Sequence, residues 1–521
     1  MSAESSSGIS GEKETVDLLV VGGGINGVGI ARDAAGRGLS VTLAEKSDLA
    51  SATSSASTKL IHGGLRYLEY YEFRLVREAL GEREVLLASA PHIIWPLRFV
   101  LPHEKTLRPA WMIRIGLFLY DHLGGRRSLP GSRRIDLSRP PYDDGLKPGL
   151  KIGFEYSDCW VNDARLVALN AMDARERGAR ILTHTACISA RRDGATWLAE
   201  LEGSNGQRTA LRARALVNAA GPWTGEFLAK EMGRGGAEKL RLVKGSHIVV
   251  NRIYAGDHAF ILQNTDRRIV FTIPYEGRFT LVGTTDLPYH GDPAQVRISP
   301  EETSYLCDVV NHHFAKPITP ADVVWSYSGV RPLFDEDGSE SASAVSRDYV
   351  LDLEHDANGP PLLNVFGGKI TTYRRLSEHA LQKLKPYFSQ ARGDWTSAAK
   401  LPGGDMPGGD FGNFLAEQTR RLPWLAPQTM LRLARAYGTK LEQMLGKAGS
   451  IADLGQNFGG DLYEREVEYL AAQEWAASAQ DVLWRRTKLG LHLPAEAERR
   501  LADWFAQRRP AQAASRELAA R

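Results

Sequence analysis

Short apolar runs separated by a helical pattern organise the first fifty residues of the chain. Val16 to Val21 is an uninterrupted apolar run, typical of a strand buried in a parallel sheet. A helical stretch follows and ends at Gly38, and a second apolar run covers Val41 to Ala44. Residues 16–46 therefore predict a strand–helix–strand unit of an α/β domain.

Later segments repeat or interrupt this pattern. Residues 214–225 predict a strand that runs into a Gly221–Pro222 turn, and residues 361–381 predict a strand, a double-glycine turn and a helix. Between them, residues 243–333 contain alternating runs such as "RIVFTIPYEGRFTLVGTTD", which predict hairpins. After a glycine- and proline-rich linker at 401–410 the pattern is helical to the end.

The first strand is followed by a glycine fingerprint, G-x-G-x-x-G, at Gly22, Gly24 and Gly27. Gly22 permits a tight turn, Gly24 lets the backbone approach a pyrophosphate, and Gly27 with Ala31 lets the helix pack close to the sheet. Glu45 ends the second strand, where it is placed to accept hydrogen bonds from a ribose. The unit predicts a dinucleotide site but does not distinguish FAD from NAD. No second complete fingerprint with its acid follows, which gives little sign of a separate NAD domain.

Composition narrows the class of protein. A chain of 521 residues predicts two or three domains, and its net charge of +3 is too small to argue for nucleic acid. Three widely spaced cysteines give neither a disulfide framework nor a metal cluster, which favours a reducing compartment, and we expect no metal. Residues 1–14 are polar and predict a disordered tail. No apolar run approaches the length of a bilayer span, so any membrane association is expected to be peripheral.

Seven strings in register with the fingerprint give the chain a recognisable pattern. The strings are "ATSSASTKLIHGGLRYLEYYEFRLV", "GFEYSDCWVNDARLV", "VKGSHIVV", "VGTTD", "YSGVRPL", "FGGKITTYRRL" and "DVLWRRTKLGL". Together they resemble the aerobic, respiratory FAD-dependent glycerol-3-phosphate dehydrogenases, within the D-amino-acid oxidase-like flavoproteins. The resemblance runs from about residue 16 into the C-terminal helices.

The resemblance implies a fold, a reaction and a location. The fold class is α/β: a Rossmann-like FAD-binding domain, an inserted β-rich substrate (cap) domain and a C-terminal α-helical domain. The expected boundaries are 15–80, 155–240 and 335–395 for the FAD-binding domain, 81–154 and 241–334 for the cap, and 396–521 for the helical domain. The reaction implied is oxidation of sn-glycerol 3-phosphate to dihydroxyacetone phosphate, with electrons passing through FAD to ubiquinone. The protein would be cytoplasmic, bound peripherally to a lipid surface at the inner face of the cell membrane, and the resemblance allows a homodimer.

Oxidising an alcohol with a flavin requires a base for the hydroxyl proton and a firm hold on the phosphate. By resemblance, Arg66 and Arg331 bind the phosphate, and Lys369 lies near the substrate hydroxyl and the flavin. The other pocket contacts expected are Tyr67, His247 and Thr284. His62 is the candidate base, with His247 and Lys369 as competitors, so His62, Arg331 and Lys369 form the predicted catalytic set.

Two of these assignments have a plainer alternative: His62 packs under the flavin, and Arg331 is an ordinary ion-paired arginine. A solvated Lys369 would not require the double-glycine turn that precedes it. Hydroxyls at 52–58 are expected near the cofactor phosphates, and Gly63 with Gly64 is expected to let the backbone lie against the flat ring. The predicted cofactor contacts are Gly22, Gly24, Asn26, Gly27, Glu45, Lys46, Thr53, Ser54, Leu60, His62, Gly63, Gly221, Gly368, Lys369, Ile370 and Thr371.

Residues 108–134 combine aromatic and aliphatic side chains with flanking arginines, including Arg126 and Arg127. This composition is typical of an interfacial segment that meets anionic lipid. A buried apolar core beside a solvated arginine loop would have the same composition. Two other functions stay open. One is an oxidase that uses oxygen on glycerol 3-phosphate or an amino acid, and the other is a non-catalytic flavin-binding scaffold.

Overall fold

The computed structural model describes residues 15–104, 109–125, 128–233, 240–264, 266, 268–283, 285–334, 348–355 and 359–519. The predicted tail at 1–14 and the predicted pocket residue Thr284 lie outside the described residues, as do Arg126 and Arg127. The chain forms two large mixed sheets, helices that cover them, and a helical C-terminal unit.

The strands and helices follow in chain order. The strands are β1 (Thr15–Val21), β2 (Val41–Ala44), β3 (Leu60–Ile61), β4 (Ile94–Pro102), β5 (Arg133–Asp136), β6 (Ile152–Val161), β7 (Arg180–Leu182), β8 (Thr185–Asp193), β9 (Thr196–Gly203), β10 (Arg208–Asn218), β11 (Leu240–Asn251), β12 (Ala259–Gln263), β13 (Ile269–Tyr275), β14 (Phe279–Gly283), β15 (Leu287–Pro288), β16 (Val323–Phe334), β17 (Val350–Glu354), β18 (Leu362–Phe366), β19 (Asn457–Gly459) and β20 (Leu462–Tyr463). The helices are α1 (Ile25–Gly36), α2 (Phe73–Ser89), α3 (Ala110–Leu123), α4 (Asp163–Glu176), α5 (Thr224–Lys230), α6 (Pro300–His313), α7 (Tyr373–Leu384), α8 (Phe411–Arg421), α9 (Pro427–Tyr437), α10 (Leu441–Leu445), α11 (Glu464–Gln473) and α12 (Ala495–Ala519).

The first sheet has the order β17–β18–β10–β1–β2–β7. β18, β10, β1, β2 and β7 run parallel, whereas β17 pairs antiparallel at the edge. β8 and β9 extend the sheet as an antiparallel pair on the first half of β10. Helices α1, α4 and α7 bury a continuous apolar core against one face. The strand–helix–strand prediction for 16–46 is confirmed, because fully buried apolar strands and a close-packed helix are what a parallel sheet requires.

The second sheet continues from β16 through β11, β14, β13, β12 and β4 to β6, whose other edge pairs with β3 and β5. One face packs on α6 and the other on α2 and α3. The predicted hairpin at 268–286 is confirmed as β13 and β14, joined by a turn in which Glu276 and Gly277 both have positive φ. The expected boundary at residue 155 divides β6, which lies wholly in this sheet.

The C-terminal helices enclose a core of their own. Buried ion pairs attach this unit to the first sheet's helices and loops: Arg165 pairs with Glu474, and Asp48 accepts from Arg485 at 2.5 Å and from Arg486 at 2.8 Å. The α/β fold with a β-rich insertion and a helical C-terminal domain is thereby confirmed.

No helix among the described residues combines the length and the apolar character needed to cross a membrane.

Candidate active site

A cleft of about 1120 Å³ lies where the two sheets and the C-terminal unit meet. This volume exceeds the roughly 300–1,000 Å³ of an ordinary small-molecule site, so a dinucleotide and a second small molecule both have room. The predicted site residues that line it are Gly22, Gly24, Asn26, Glu45, Lys46, Thr53, Ser54, Leu60, His62, Tyr67, Gly221, His247, Arg331, Gly368, Lys369, Ile370 and Thr371. Gly27, Gly63 and Arg66 lie outside this lining.

The glycine fingerprint closes the turn between β1 and α1. Gly22 has φ +112°, and a Cβ there would lie 2.4 Å from the carbonyl oxygen of Ala219. A Cβ on Gly27 would lie 1.9 Å from the Gly22 oxygen, so Gly27 serves the close packing of α1 on the turn. The Ile25 N–H, at the start of α1, donates to Ser54 Oγ at 3.0 Å. Ser54 thus marks the position at the helix N-terminus where a phosphate oxygen is best stabilised.

Glu45 holds the fingerprint loop in place. Its carboxylate accepts from the Gly23 N–H at 2.6 Å and from the Ser47 N–H at 2.8 Å. Burial raises the pKa of Glu45, while these two N–H groups favour the charged form. A carboxylate offers about four lone-pair sites, which leaves acceptor capacity for the ribose hydroxyls that the sequence prediction assigned to it.

The N-terminus of α1 also touches the double-glycine turn after β18. Asn26 Nδ2 donates to the Gly367 oxygen at 3.1 Å, and a Cβ on Gly368, whose φ is +93°, would lie 2.6 Å from the same nitrogen. Asn26 Oδ1 is buried and has no hydrogen-bond partner among the described residues. A glycine-lined cradle, a helix N-terminus and an unsatisfied buried acceptor together fit FAD, whose pyrophosphate and hydroxyl groups suit these donors and acceptors.

His62 lies in the cleft wall directly after β3. Its backbone N–H donates to Thr371 Oγ1 at 3.3 Å, which joins the 59–67 segment to the start of the α7 region. Burial lowers the pKa of His62 and the Lys369 ammonium lowers it further, against the opposing effect of the Asp158 carboxylate. The imidazole is therefore neutral at neutral pH and able to accept a proton.

Lys369 follows the double-glycine turn, and its Nζ lies 4.3 Å from the ring centroid of Tyr67. This cation–π contact brings two of the predicted substrate residues together. The structure shows a packing requirement for glycine at position 63, and the expected contact of its backbone with the flavin stays a prediction. A Cβ at Gly63 would lie 2.5 Å from Leu80 Cδ2 and 2.7 Å from Tyr120 Oη, so packing against α2 and α3 requires it. Arg66, on the turn that follows, is half-buried.

Arg331 lies on β16, where it is ion-paired and also lines the cleft. It lines the cleft, and its Nη2 also pairs with Asp286 Oδ1 at 2.8 Å and donates to the Thr285 oxygen at 3.3 Å. Its side chain is 39% exposed and that of Asp286 is 29% exposed. The guanidinium can therefore reach a ligand in the cleft while it is paired with Asp286.

His247 on β11 is held more tightly than His62. Its Nε2 is 3.0 Å from Thr58 Oγ1, and its ring stacks on Tyr327 with centroids 4.7 Å apart. Burial lowers its pKa to about 3, and the cations of Lys59 and Arg331 contribute to the same shift. His247 is consequently neutral, and its stacked position suits a wall of the pocket better than proton transfer.

Sequence reasoning gave no role to a buried charge cluster at the cleft. Lys59 Nζ contacts both Asp163 oxygens, at 3.0 and 2.9 Å, and these two side chains are 1% and 0% exposed. Lys488 of the C-terminal unit lines the cleft, and burial, together with the Lys59 cation, lowers its pKa to about 7. Both lysines have φ near +60°, an uncommon conformation for a residue other than glycine.

Beside Lys488, Trp484 stacks on Trp325 of β16 with centroids 4.5 Å apart and planes at 19°. The string "DVLWRRTKLGL" contains Trp484 and Lys488 and belongs to the recognisable pattern, so it was the available signal for them.

Comparison with known proteins identifies the cofactor. Residues 17–374 match the family described as "FAD dependent oxidoreductase", and residues 395–508 match the "C-terminal domain of alpha-glycerophosphate oxidase". The chain belongs to the FAD-dependent oxidoreductase family. It is thus an FAD-dependent enzyme, and the scaffold alternative no longer applies.

The curated relatives of this flavoenzyme are similar over almost the whole chain. A "Glycerol-3-phosphate dehydrogenase" of Pseudomonas aeruginosa is 57% identical over 95% of this chain and 96% of its own length. The "Aerobic glycerol-3-phosphate dehydrogenase" of Escherichia coli is 54% identical, and a "D-erythritol 1-phosphate dehydrogenase" of Brucella abortus is 53% identical, each over 95% of this chain and 98% of its own. The resemblance found in the sequence is confirmed.

A solved structure of a relative supports both the fold and the FAD assignment. The glycerol-3-phosphate dehydrogenase of Bacillus halodurans, complexed with FAD, superimposes with a TM-score of 0.72 at 28% identity, covering 94% of this chain and 91% of its own.

Proposed function

We propose that this flavoenzyme oxidises sn-glycerol 3-phosphate to dihydroxyacetone phosphate and passes the electrons to ubiquinone. The observation that carries the proposal is that His62, Arg331 and Lys369 line one cleft together with the FAD cradle. The names of the P. aeruginosa and E. coli relatives support the choice of substrate.

FAD, when bound, accepts the hydride from the carbinol carbon. The residues of this chain do the remaining work in the proposal. Arg331 grips the phosphate dianion through its planar fork, and Lys369, held over Tyr67, stabilises the developing charge on the substrate oxygen. The neutral His62 takes the hydroxyl proton on a ring nitrogen.

The first experiment is an anaerobic visible spectrum of the holoenzyme before and after addition of sn-glycerol 3-phosphate. We expect rapid loss of the flavin band, and recovery when a ubiquinone analogue is added. A spectrum unchanged by glycerol 3-phosphate would contradict the substrate. A band that returns only with oxygen, with peroxide released, would instead support the oxidase alternative suggested by the oxidase-named C-terminal domain.

D-erythritol 1-phosphate is a second candidate substrate, because the Brucella relative named for it is as similar to this chain as the E. coli enzyme. Both molecules carry a phosphate, so Arg331 does not discriminate between them. The ratio of kcat/KM for the two substrates decides the point, and a higher value for erythritol 1-phosphate would overturn the glycerol 3-phosphate assignment.

Membrane contact is proposed through one exposed surface, here called the α3 surface. Seven of the ten large apolar side chains exposed among the described residues lie on it: Tyr70, Tyr71, Phe73, Trp111, Met112, Ile115 and Phe118. On the opposite side of the same helix, Leu117 and Tyr120 are buried. The apolar exposure favours the interfacial interpretation of residues 108–134 over the buried-core one, since a core helix would hide these side chains.

The α3 surface also lies close to the proposed reaction site. Tyr120, on the buried side of α3, accepts the Gly63 N–H at 2.8 Å, and Gly63 is the neighbour of the cleft-lining His62. In an enzyme docked at the cytoplasmic face of the membrane, a lipid-soluble acceptor such as ubiquinone would then arrive on the side of the cleft that His62 lines.

Binding to anionic phospholipid vesicles tests this docking. Trp111→Ser combined with Phe118→Ser should weaken co-sedimentation by about tenfold or more, because two large apolar side chains no longer enter the lipid. Leu431→Ser is the matched control, since Leu431 is 44% exposed on α9, away from the α3 surface. Equal binding by both variants would contradict the proposal.

A further inference from the structure

Three potential metal ligands meet on the outer side of the second sheet, away from the cleft. His312 and His313 are the last two residues of α6, and Glu104 lies two residues beyond the end of β4. Their ligand atoms lie within 4.8 Å of one another. The side chain of His313 is 3% exposed, that of Glu104 is 23% exposed, and that of His312 is 63% exposed.

The distances match the edges of a tetrahedral site. Nε2 of His312 lies 3.4 Å from Glu104 Oε1, and Nε2 of His313 lies 3.3 Å from the same oxygen. Zinc–nitrogen and zinc–oxygen bonds of about 2.0–2.1 Å at a tetrahedral angle separate two ligand atoms by roughly 3.3 Å, whereas a right angle would separate them by roughly 2.9 Å. Both histidine-to-carboxylate distances therefore fit edges of a tetrahedral site.

The ring of His313 has the orientation of a ligand. Its Nδ1 is 2.9 Å from the carbonyl oxygen of Val309, and a carbonyl only accepts, so Nδ1 carries the proton of the neutral ring. Nε2 then presents its lone pair toward Glu104, an arrangement that metal-binding histidines usually show. Lys147 is the nearby cation. Its backbone N–H donates to the His313 oxygen at 2.9 Å, and its residue is exposed, so the ammonium can remain in solvent.

We propose that Glu104, His312 and His313 bind one divalent transition-metal ion, with Zn²⁺ as the best match and water as the fourth ligand. Two imidazoles with one carboxylate are a zinc donor set. The ion would join the end of β4 to the end of α6 and so brace the second sheet. None of the three residues lines the cleft.

Zinc stoichiometry of the holoenzyme tests the proposal. After dialysis against a chelator and readdition of zinc, we expect one ion per chain by elemental analysis. His312→Ala and Glu104→Gln should each weaken zinc binding by about 100-fold or more, because loss of even a supporting group around a zinc site costs 10–100-fold. His312 is exposed, so its replacement leaves the packing of α6 intact.

His122→Ala is the matched control. His122 is also an exposed histidine in the last turn of a helix, with Nδ1 2.7 Å from the carbonyl oxygen four residues earlier. It should bind zinc as the wild type does. Cobalt in place of zinc should give the strong visible bands of a tetrahedral ion at wavelengths beyond the flavin band. Zinc should also raise the melting temperature of the wild type and not that of His312→Ala.

The proposal is overturned if no zinc is retained by the wild type, or if His312→Ala and Glu104→Gln retain it unchanged. Either result would leave these residues as an ordinary ion-paired cluster.

Discussion

In the proposed function, the Asp286 carboxylate competes with the substrate phosphate for the Arg331 guanidinium. The two side chains pair at 2.8 Å, and both reach the cleft. A phosphate that binds Arg331 must share the guanidinium with Asp286 and also accept the repulsion of its negative charge. Arg331→Ala and Asp286→Asn should therefore change phosphate binding in opposite directions.

The magnitudes follow from exposure. Truncating one partner of a desolvated charge contact costs about 2–5 kcal/mol, and the 39% exposure of Arg331 places it at the lower end. We expect Arg331→Ala to lower kcat/KM for glycerol 3-phosphate by about 30-fold, which corresponds to about 2 kcal/mol. A partly exposed ion pair is worth up to about 1 kcal/mol, so Asp286→Asn should lower KM by up to about fivefold.

Steady-state kinetics with an artificial electron acceptor under anaerobic conditions measure both effects. Arg331→Lys serves as the conservative control: it keeps the charge and loses the planar fork, so its kcat/KM should fall between those of the wild type and Arg331→Ala. The flavin content of each variant must equal that of the wild type. Unchanged kcat/KM in Arg331→Ala, or a higher KM in Asp286→Asn, would refute the reasoning.

Two further predictions concern cofactor retention and pH. Gly27→Ala should purify with little FAD, because its Cβ would lie 1.9 Å from the Gly22 oxygen, whereas Gly81→Ala, in the open interior of α2, should keep full flavin absorbance; equal flavin content would contradict the packing argument. The pKa of Lys488 is about 7 in the folded protein and about 10.4 in an unfolded chain, so the unfolded state binds more protons between these values. The free energy of unfolding, measured in urea, should therefore rise more from pH 7 to pH 10 in the wild type than in Lys488→Met. Parallel pH profiles of the two proteins would refute the shifted pKa of Lys488.

The fold could be predicted well from the local pattern of apolar and polar residues, because a few neighbouring residues are enough to indicate each helix or strand. The apolar run at Val41 to Ala44 coincides with β2, and the alternation around Glu276 gave the β13–β14 hairpin. The cofactor loop could be predicted equally well, since its glycines and Glu45 lie within 24 positions of one another. These features depend on spacing, which a sequence displays directly.

Contacts between segments that are distant in the chain could not be predicted from the sequence in the same way. Lys59 pairs with Asp163 across 104 positions, and Arg331 on β16 pairs with Asp286 in the connection between β14 and β15. Nothing in the periodicity of either segment indicates the partner. Gly63 illustrates a related limit: the sequence shows only a glycine, and the structure shows that a side chain there would meet Leu80.

The ion pairs that attach the C-terminal unit have a consequence for the modularity of this enzyme. Asp48 is 2% exposed and Arg165 is 1% exposed, and both find their counter-charges on residues beyond 470. A chain cut before residue 396 would remove the partners of both charges and would also uncover the surface that the C-terminal unit now buries. The C-terminal unit also supplies part of the cleft wall, including Trp484 and Lys488. We therefore expect a truncation that removes this unit to leave an incomplete active-site cleft, so that the flavin-binding part is not a freestanding dehydrogenase module.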